Sequence, residues 1–114
     1  MIVSQTGYAT LADAIEGLTR RGFTEHFGVV GRALRALESG KTFRAEELLI
    51  REYHRFEGIS DPDDMSIVYA IESHTGTRGI LVDAFGVYSN PAVSAFLTDV
   101  PINRTARPEA EAQM

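Results

Sequence analysis

The chain predicts an α+β fold. It should contain an N-terminal helix, a largely antiparallel sheet of four to five strands with a meander at 49–86, and a short C-terminal helix. Three observations lead there. Leu11, Ala14, Ile15 and Leu18 recur at helical spacing between Thr10, a capping residue, and Gly22, a stop. Three apolar-rich runs then succeed one another across residues 48–88, separated by two polar segments rich in Asp, Pro, Gly and Thr. Asn90-Pro91 finally opens a further short apolar stretch, with Asn at the N-cap and Pro at the first helical position, where a missing N–H costs nothing.

With 114 residues the default is one domain, expected over 1–100, followed by a polar and disordered tail at 101–114. Apolar residues make up 44% and charged residues 24%, ordinary globular usage that argues against disorder of the whole chain. Cysteine is absent, which removes disulfides, thiolate nucleophiles and Cys-type zinc sites, and fits a reducing cytoplasm. The net charge of −5 opposes phosphate backbones. Arg20-Arg21 is a pair and the other arginines are scattered, so no basic patch for nucleic acid is visible. No apolar run is long enough to span a membrane, and MIVSQTGYAT has neither a basic start nor a long apolar run, so neither membrane nor signal peptide is expected.

Taken in order, Thr10 with Asp13 three residues on is a weaker relative of the capping box. A helix follows over about 10–21, its Arg20 and Arg21 suiting the negative end of the dipole. Its narrow apolar stripe should lie on a sheet. Phe23–Val30 reads as a strand, with Phe23 and Phe27 on one face. Arg32–Glu38 is ambiguous: propensity favours helix, but seven residues between Gly31 and Gly40 are short for one, and a strand pairing with 23–29 competes. Phe43–Leu49 should begin with a helical turn and enter the meander. Residues 65–73, apolar on both faces, mark a central strand, and residues 80–86 another. Gly58–Asp64 and His74–Gly79 are turns. Ala92, Ala95, Phe96 and Val100 of the last helix should face the sheet.

Symmetric turns would place residues 54, 68 and 84 across from one another, and likewise 53, 69 and 83. One face then collects Ile50, Val68, Ala70, Ile80, Val82 and Ala84, with Glu52, His54 and Glu72 towards it. The other collects Arg51, Tyr53, Arg55, Ile67, Tyr69, Ile71, Leu81, Asp83 and Phe85. Asp83 stands out, because a carboxylate in an interior strand must be paired or protonated. It serves as a general base or ligand contact, pairs structurally with Arg51, Arg55 or a tyrosine hydroxyl, or lies exposed at an edge. Tyr69 and His54 are the other candidate catalytic residues. Glu52, His54 and Glu72 on one face are candidate metal ligands for zinc or manganese, against a reading as satisfied polar residues at the core rim. His26 and His74 are isolated and read as surface residues. Asp61, Asp63 and Asp64 alternate like part of a calcium loop but lack its glycine and its distal Glu, so turn chemistry is the reading.

Tyr53-His54-Arg55-Phe56-Glu57-Gly58, Asp61-Pro62-Asp63-Asp64, Tyr69-Ala70-Ile71 and Leu81-Val82-Asp83-Ala84-Phe85-Gly86 together resemble the pattern RFEG, NPDD, YAI, VLVDAYG of a small uncharacterised bacterial family. Some of its members carry a phosphoribosylpyrophosphate synthetase label. The resemblance spans roughly residues 8–98 and implies a bacterial, cytosolic, single-domain protein, with no catalytic residues to carry over. The loop behind that label is not matched. Glu72 is one acid where the loop has two, and the segment after Gly79 reads as a strand, leaving no helix N-terminus for a phosphate.

No cofactor is expected. If both helices pack on one side, the Tyr53, Tyr69, Ile67, Ile71, Leu81 and Phe85 face is too apolar to leave in water, and a homodimer through that face would cover it. If the helices split between the faces, the protein is a monomer. The leading expectation is a non-catalytic interaction or regulatory module acting as a homodimer. The alternative is a small-molecule-binding domain or minor enzyme using Asp83, Tyr69 and a nearby arginine. A flat apolar face with Asp83 satisfied by arginine would mark the first; a concave pocket containing Asp83, Tyr69 or His54 would mark the second.

Overall fold

The computed structural model describes Tyr8 and residues 10–56, 66–84 and 90–102. Thr10 caps the first helix, its Oγ1 accepting from the Asp13 backbone N–H at 3.1 Å, and α1 runs Leu11–Arg20. Gly22, with φ 105°, ends it. The Phe23 N–H reaches back to the Leu18 carbonyl and the Gly22 N–H to that of Thr19, a Schellman closure that folds Phe23 beneath the helix. This overturns the pairing of Phe23 with Phe27. Strand β1, Glu25–Val30, starts two residues after Phe23, so Phe23 packs under α1 with Ala14 and Leu18 while Phe27 belongs to the opposite face.

The ambiguous segment is a strand: β2, Ala33–Ala36, pairs antiparallel with β1. A two-residue β3, Thr42–Phe43, comes next, then a 3₁₀ turn at Ala45–Glu47 that leads directly into β4, Leu48–Phe56. Strands β5, Ser66–Ser73, and β6, Arg78–Ala84, complete the meander. Among the described residues the sheet has six strands in the order β3-β2-β1-β6-β5-β4 and is mixed, because β1 pairs with β6 in parallel. The joint is short, with register partners Glu25–Gly79 and His26–Ile80. The second helix, α2, runs Pro91–Thr98, capped by Asn90 Oδ1 accepting from the Ala92 N–H at 2.9 Å. Val93, Phe96 and the following Val100 are buried, as the sequence predicts for Phe96 and Val100, whereas Ala92 and Ala95 are exposed rather than turned to the sheet.

The helices take opposite faces. Ala14, Leu18, Phe23, Phe56, Val68, Ala70 and Ile80 form the core under α1. Phe27, Leu34, Phe43, Leu48, Ile50, Ile71, Leu81 and the buried α2 residues form the core under α2. The face expected to need a second copy is thus covered, at least in part, by the chain's own α2.

Two register features place the polar residues. The β4–β5 pairing opposes His54 to Val68 and Tyr53 to Tyr69, as expected. Across β5–β6 the partners are Val82 and Leu81, two residues short of the symmetric expectation, which preserves the faces. A bulge between Ile50 and Glu52 then shifts β4 by one residue. It turns Leu48 and Ile50 to the α2 core while Phe56 joins the α1 core and His54 is buried, so Ile50 leaves the face expected for it. Val82 is 41% exposed rather than core.

Pro101 and Ile102, expected to begin a disordered tail, lie along β4: the Ile50 N–H donates to the Pro101 carbonyl, and Ile102 bridges Ile50. The calcium-like Asp61, Asp63 and Asp64, as well as Phe85, lie outside the described residues. Among the described residues no helix is long and apolar enough to cross a membrane.

Candidate functional site

The α2 face carries a groove. Helix α2 lies against β1, and over the outer strands β4 and β5 a cavity of about 340 Å³ remains. It is lined by Ile50 and Tyr53 of β4, Ile67 and Tyr69 of β5, Leu97 and its neighbours on α2, and Ile102. The Tyr53 and Tyr69 rings lie 6.2 Å apart at 48°, so both phenols edge the same space. Burial raises the Tyr69 pKa, the negative charge of Asp83 and the neighbouring Tyr53 add to this, and Arg55 offsets part of it. Tyr69 is therefore held as a neutral phenol with a proton to donate, and is poorly suited to be a base or nucleophile.

Asp83 is half-buried beside this groove. Its carboxylate accepts from the Asn90 backbone N–H, at 3.3 Å to Oδ1 and 3.5 Å to Oδ2. Strand β6 thus anchors the N-terminus of α2, where a negative charge also complements the helix dipole. Of the partners expected for Asp83, Arg51 is engaged elsewhere, with Glu72. A backbone donor from the N-cap has no signature in the sequence.

The α1 face carries a polar cluster. His54 is 4% exposed, and its Nε2 lies 3.2 Å from Glu52 Oε1. The other carboxylate oxygen of Glu52 accepts from Arg21, which also donates to the Tyr8 hydroxyl at 3.1 Å. The Tyr8 ring stands edge-on to His54 at 5.0 Å and 83°. Gly17 makes this possible, since a Cβ there would lie 2.4 Å from the Tyr8 ring. Burial alone would raise the Glu52 pKa, but the bonds from His54 and Arg21, with the Arg21 charge, outweigh it and hold the carboxyl below its usual range. Burial alone would lower the Arg21 pKa; the bonds to Tyr8 and Glu52 reverse that. His54 Nδ1 is buried with no hydrogen-bond partner among the described residues.

Of the expected metal ligands, Glu52 and His54 meet, while Glu72 is drawn between Arg51 and Arg78, at 3.5 and 3.4 Å from their Nε atoms. Among the described residues no three His, Asp or Glu side chains are grouped to hold an ion. His26 is exposed as expected but not isolated: its Nδ1 lies 2.6 Å from Glu38, brought across by the β1–β2 hairpin. The Thr75-Gly76-Thr77 segment is a closed hairpin turn, with Ser73 Oγ accepting from the Thr75 and Thr77 backbone N–H groups, and β6 comes directly after it.

One cluster is not legible in the sequence. Arg21, Phe23, Arg51, Glu52 and Arg78 line a pocket of about 430 Å³ where the end of α1, the β4 bulge and the start of β6 converge. Its arginines come from three separate segments, and no local spacing links them. Compared with protein-family models, curated proteins and solved structures, the chain finds no match.

Proposed function

We propose that the protein is a non-catalytic small-molecule-binding domain of the bacterial cytoplasm, and that its ligand is a neutral, mainly apolar molecule with one hydrogen-bond acceptor. The observation that carries this is the groove itself: an open, mainly apolar depression with Tyr69 in its wall. The lining supports this chemistry. Ile50, Ile67, Leu97 and Ile102 favour an apolar body. The protonated Tyr69 hydroxyl offers a donor, and the adjacent Asp83 charge disfavours an anion. Among the described residues that line the groove none is an acid or a histidine, which supports binding over catalysis. With α2 over part of this face, a monomer is the state consistent with this reading.

Acetophenone and benzoate share a ring and differ in charge, so an amide NMR titration with each tests the reading. Acetophenone should shift Tyr69, Leu97 and Ile102 saturably at millimolar concentration, and benzoate should not. Tyr69→Phe should weaken acetophenone by roughly two- to tenfold, the worth of one neutral hydrogen bond. Absence of shifts in these residues, or equal binding of benzoate, would overturn the proposal.

A further inference from the structure

We propose that the Arg21–Arg51–Arg78 pocket on the opposite side of the sheet binds a phosphate group, independently of the groove under α2. Three guanidinium groups approach one space from three elements. Phe23 fixes two of them, with the Arg21 and Arg78 guanidinium carbons 6.0 and 5.6 Å from its ring centroid. The Schellman closure that ends α1 is what sets Phe23 there. Arg51 comes from the bulge, the point where β4 changes face.

The acids present do not saturate these arginines. Arg21 is paired with Glu52. Arg51 and Arg78 share one carboxylate, Glu72, and reach it through Nε at 3.5 and 3.4 Å, beyond good hydrogen-bond length. Among the described residues, the terminal nitrogens of Arg51 and Arg78 make no hydrogen bond. Among the described residues, two carboxylates against three guanidinium groups leave one positive charge at this spot, in a chain whose net charge is −5. Their side chains are 38% and 43% exposed, open enough to take a ligand and buried enough to escape full screening. Guanidinium forks match oxyanions in paired hydrogen bonds. Donors arriving from three directions suit the three oxygens of a tetrahedral phosphate better than the two of a carboxylate. Glu72 then acts as an internal competitor that holds Arg51 and Arg78 in place when no anion is bound.

The probe is inorganic phosphate, added at constant ionic strength against sodium chloride, with sodium acetate as comparator. The readout is the arginine Nε–Hε NMR signals, with a thermal melt of each variant as a folding control. Phosphate should shift the Arg51 and Arg78 signals saturably, at roughly 1–10 mM. Arg51→Gln should weaken binding by about fivefold or more. Glu72→Gln should tighten it, because a competing charge is removed; a purely structural ion-pair network would show no such gain. Shifts that never saturate, acetate binding as tightly as phosphate, unchanged binding in Arg51→Gln, or weaker binding in a folded Glu72→Gln would each overturn the proposal.

Discussion

Replacing Glu52 with Gln removes one charge and almost no volume from the cluster under α1. The Glu52 side chain is 12% exposed and accepts from both Arg21 and His54. The amide of Gln can accept from one of these donors but presents its own N–H groups to the other. Loss of the His54 bond is worth about 0.5–1.5 kcal/mol. Arg21 is 50% exposed, so solvent screening limits its share to about 1 kcal/mol or less. Together the variant should be less stable by about 1–2 kcal/mol at pH 7, or roughly 4–8 °C in Tm for a domain of this size. The pH dependence gives a sharper test. The folded pKa of Glu52 lies below its ordinary value, so its contribution is fully present above the unfolded pKa of about 4.3 and is lost as pH falls through the folded pKa. Urea unfolding of both proteins from pH 7 to pH 3 should therefore show a deficit that is constant down to about pH 5 and then shrinks. Equal stability at pH 7, or a deficit still undiminished at pH 3, would refute the reasoning.

Other perturbations act on single contacts. Gly79→Ala should cost about 1–3 kcal/mol in denaturant unfolding, because the new Cβ would lie 2.5 Å from the Glu25 carbonyl oxygen at the β1–β6 joint, where backbone cannot yield. Gly17→Ala improves intrinsic helix propensity by about 0.5–1 kcal/mol yet expels Tyr8, so the net gain should be smaller than that and the Tyr8–His54 ring contact should vanish from NMR spectra. Asp83→Asn should lower the pH at which the Tyr69 phenol ionises, read by ultraviolet absorbance, since Asp83 helps to keep that phenol neutral. It should also destabilise α2 by about 0.3–1 kcal/mol through the lost charge at the helix N-terminus. Sedimentation at micromolar concentration should show a monomer, and a stable dimer would reopen the covered-face question.

Local rules are legible in the sequence wherever a residue acts on its near neighbours. Thr10, Gly22, Asn90 and Pro91 each mark a helix end through chemistry confined to one turn. The His54–Val68 and Tyr53–Tyr69 pairs follow from centring the first turn of the meander symmetrically between its strands. The features that escape are non-local. The bulge at Ile50–Glu52 has no composition signal, and it decides that Ile50 enters one core while Glu52 joins the polar cluster on the other side. The parallel β1–β6 joint depends on Gly79 admitting Glu25, contributed from far along the chain. Asp83 stands out as a strand carboxylate in need of a partner, but that partner is a backbone N–H, a donor nearly every residue carries. The pocket of Arg21, Arg51 and Arg78 is assembled wholly by tertiary structure.

The central claim is that the space under α2 holds a neutral ligand through Tyr69. A crystal structure of the protein soaked with acetophenone tests it most directly. The ring should lie between Ile67 and Leu97, with its carbonyl oxygen within hydrogen-bond distance of the Tyr69 hydroxyl. A groove without the ligand at saturating concentration, or the ligand bound away from Tyr69, would contradict it.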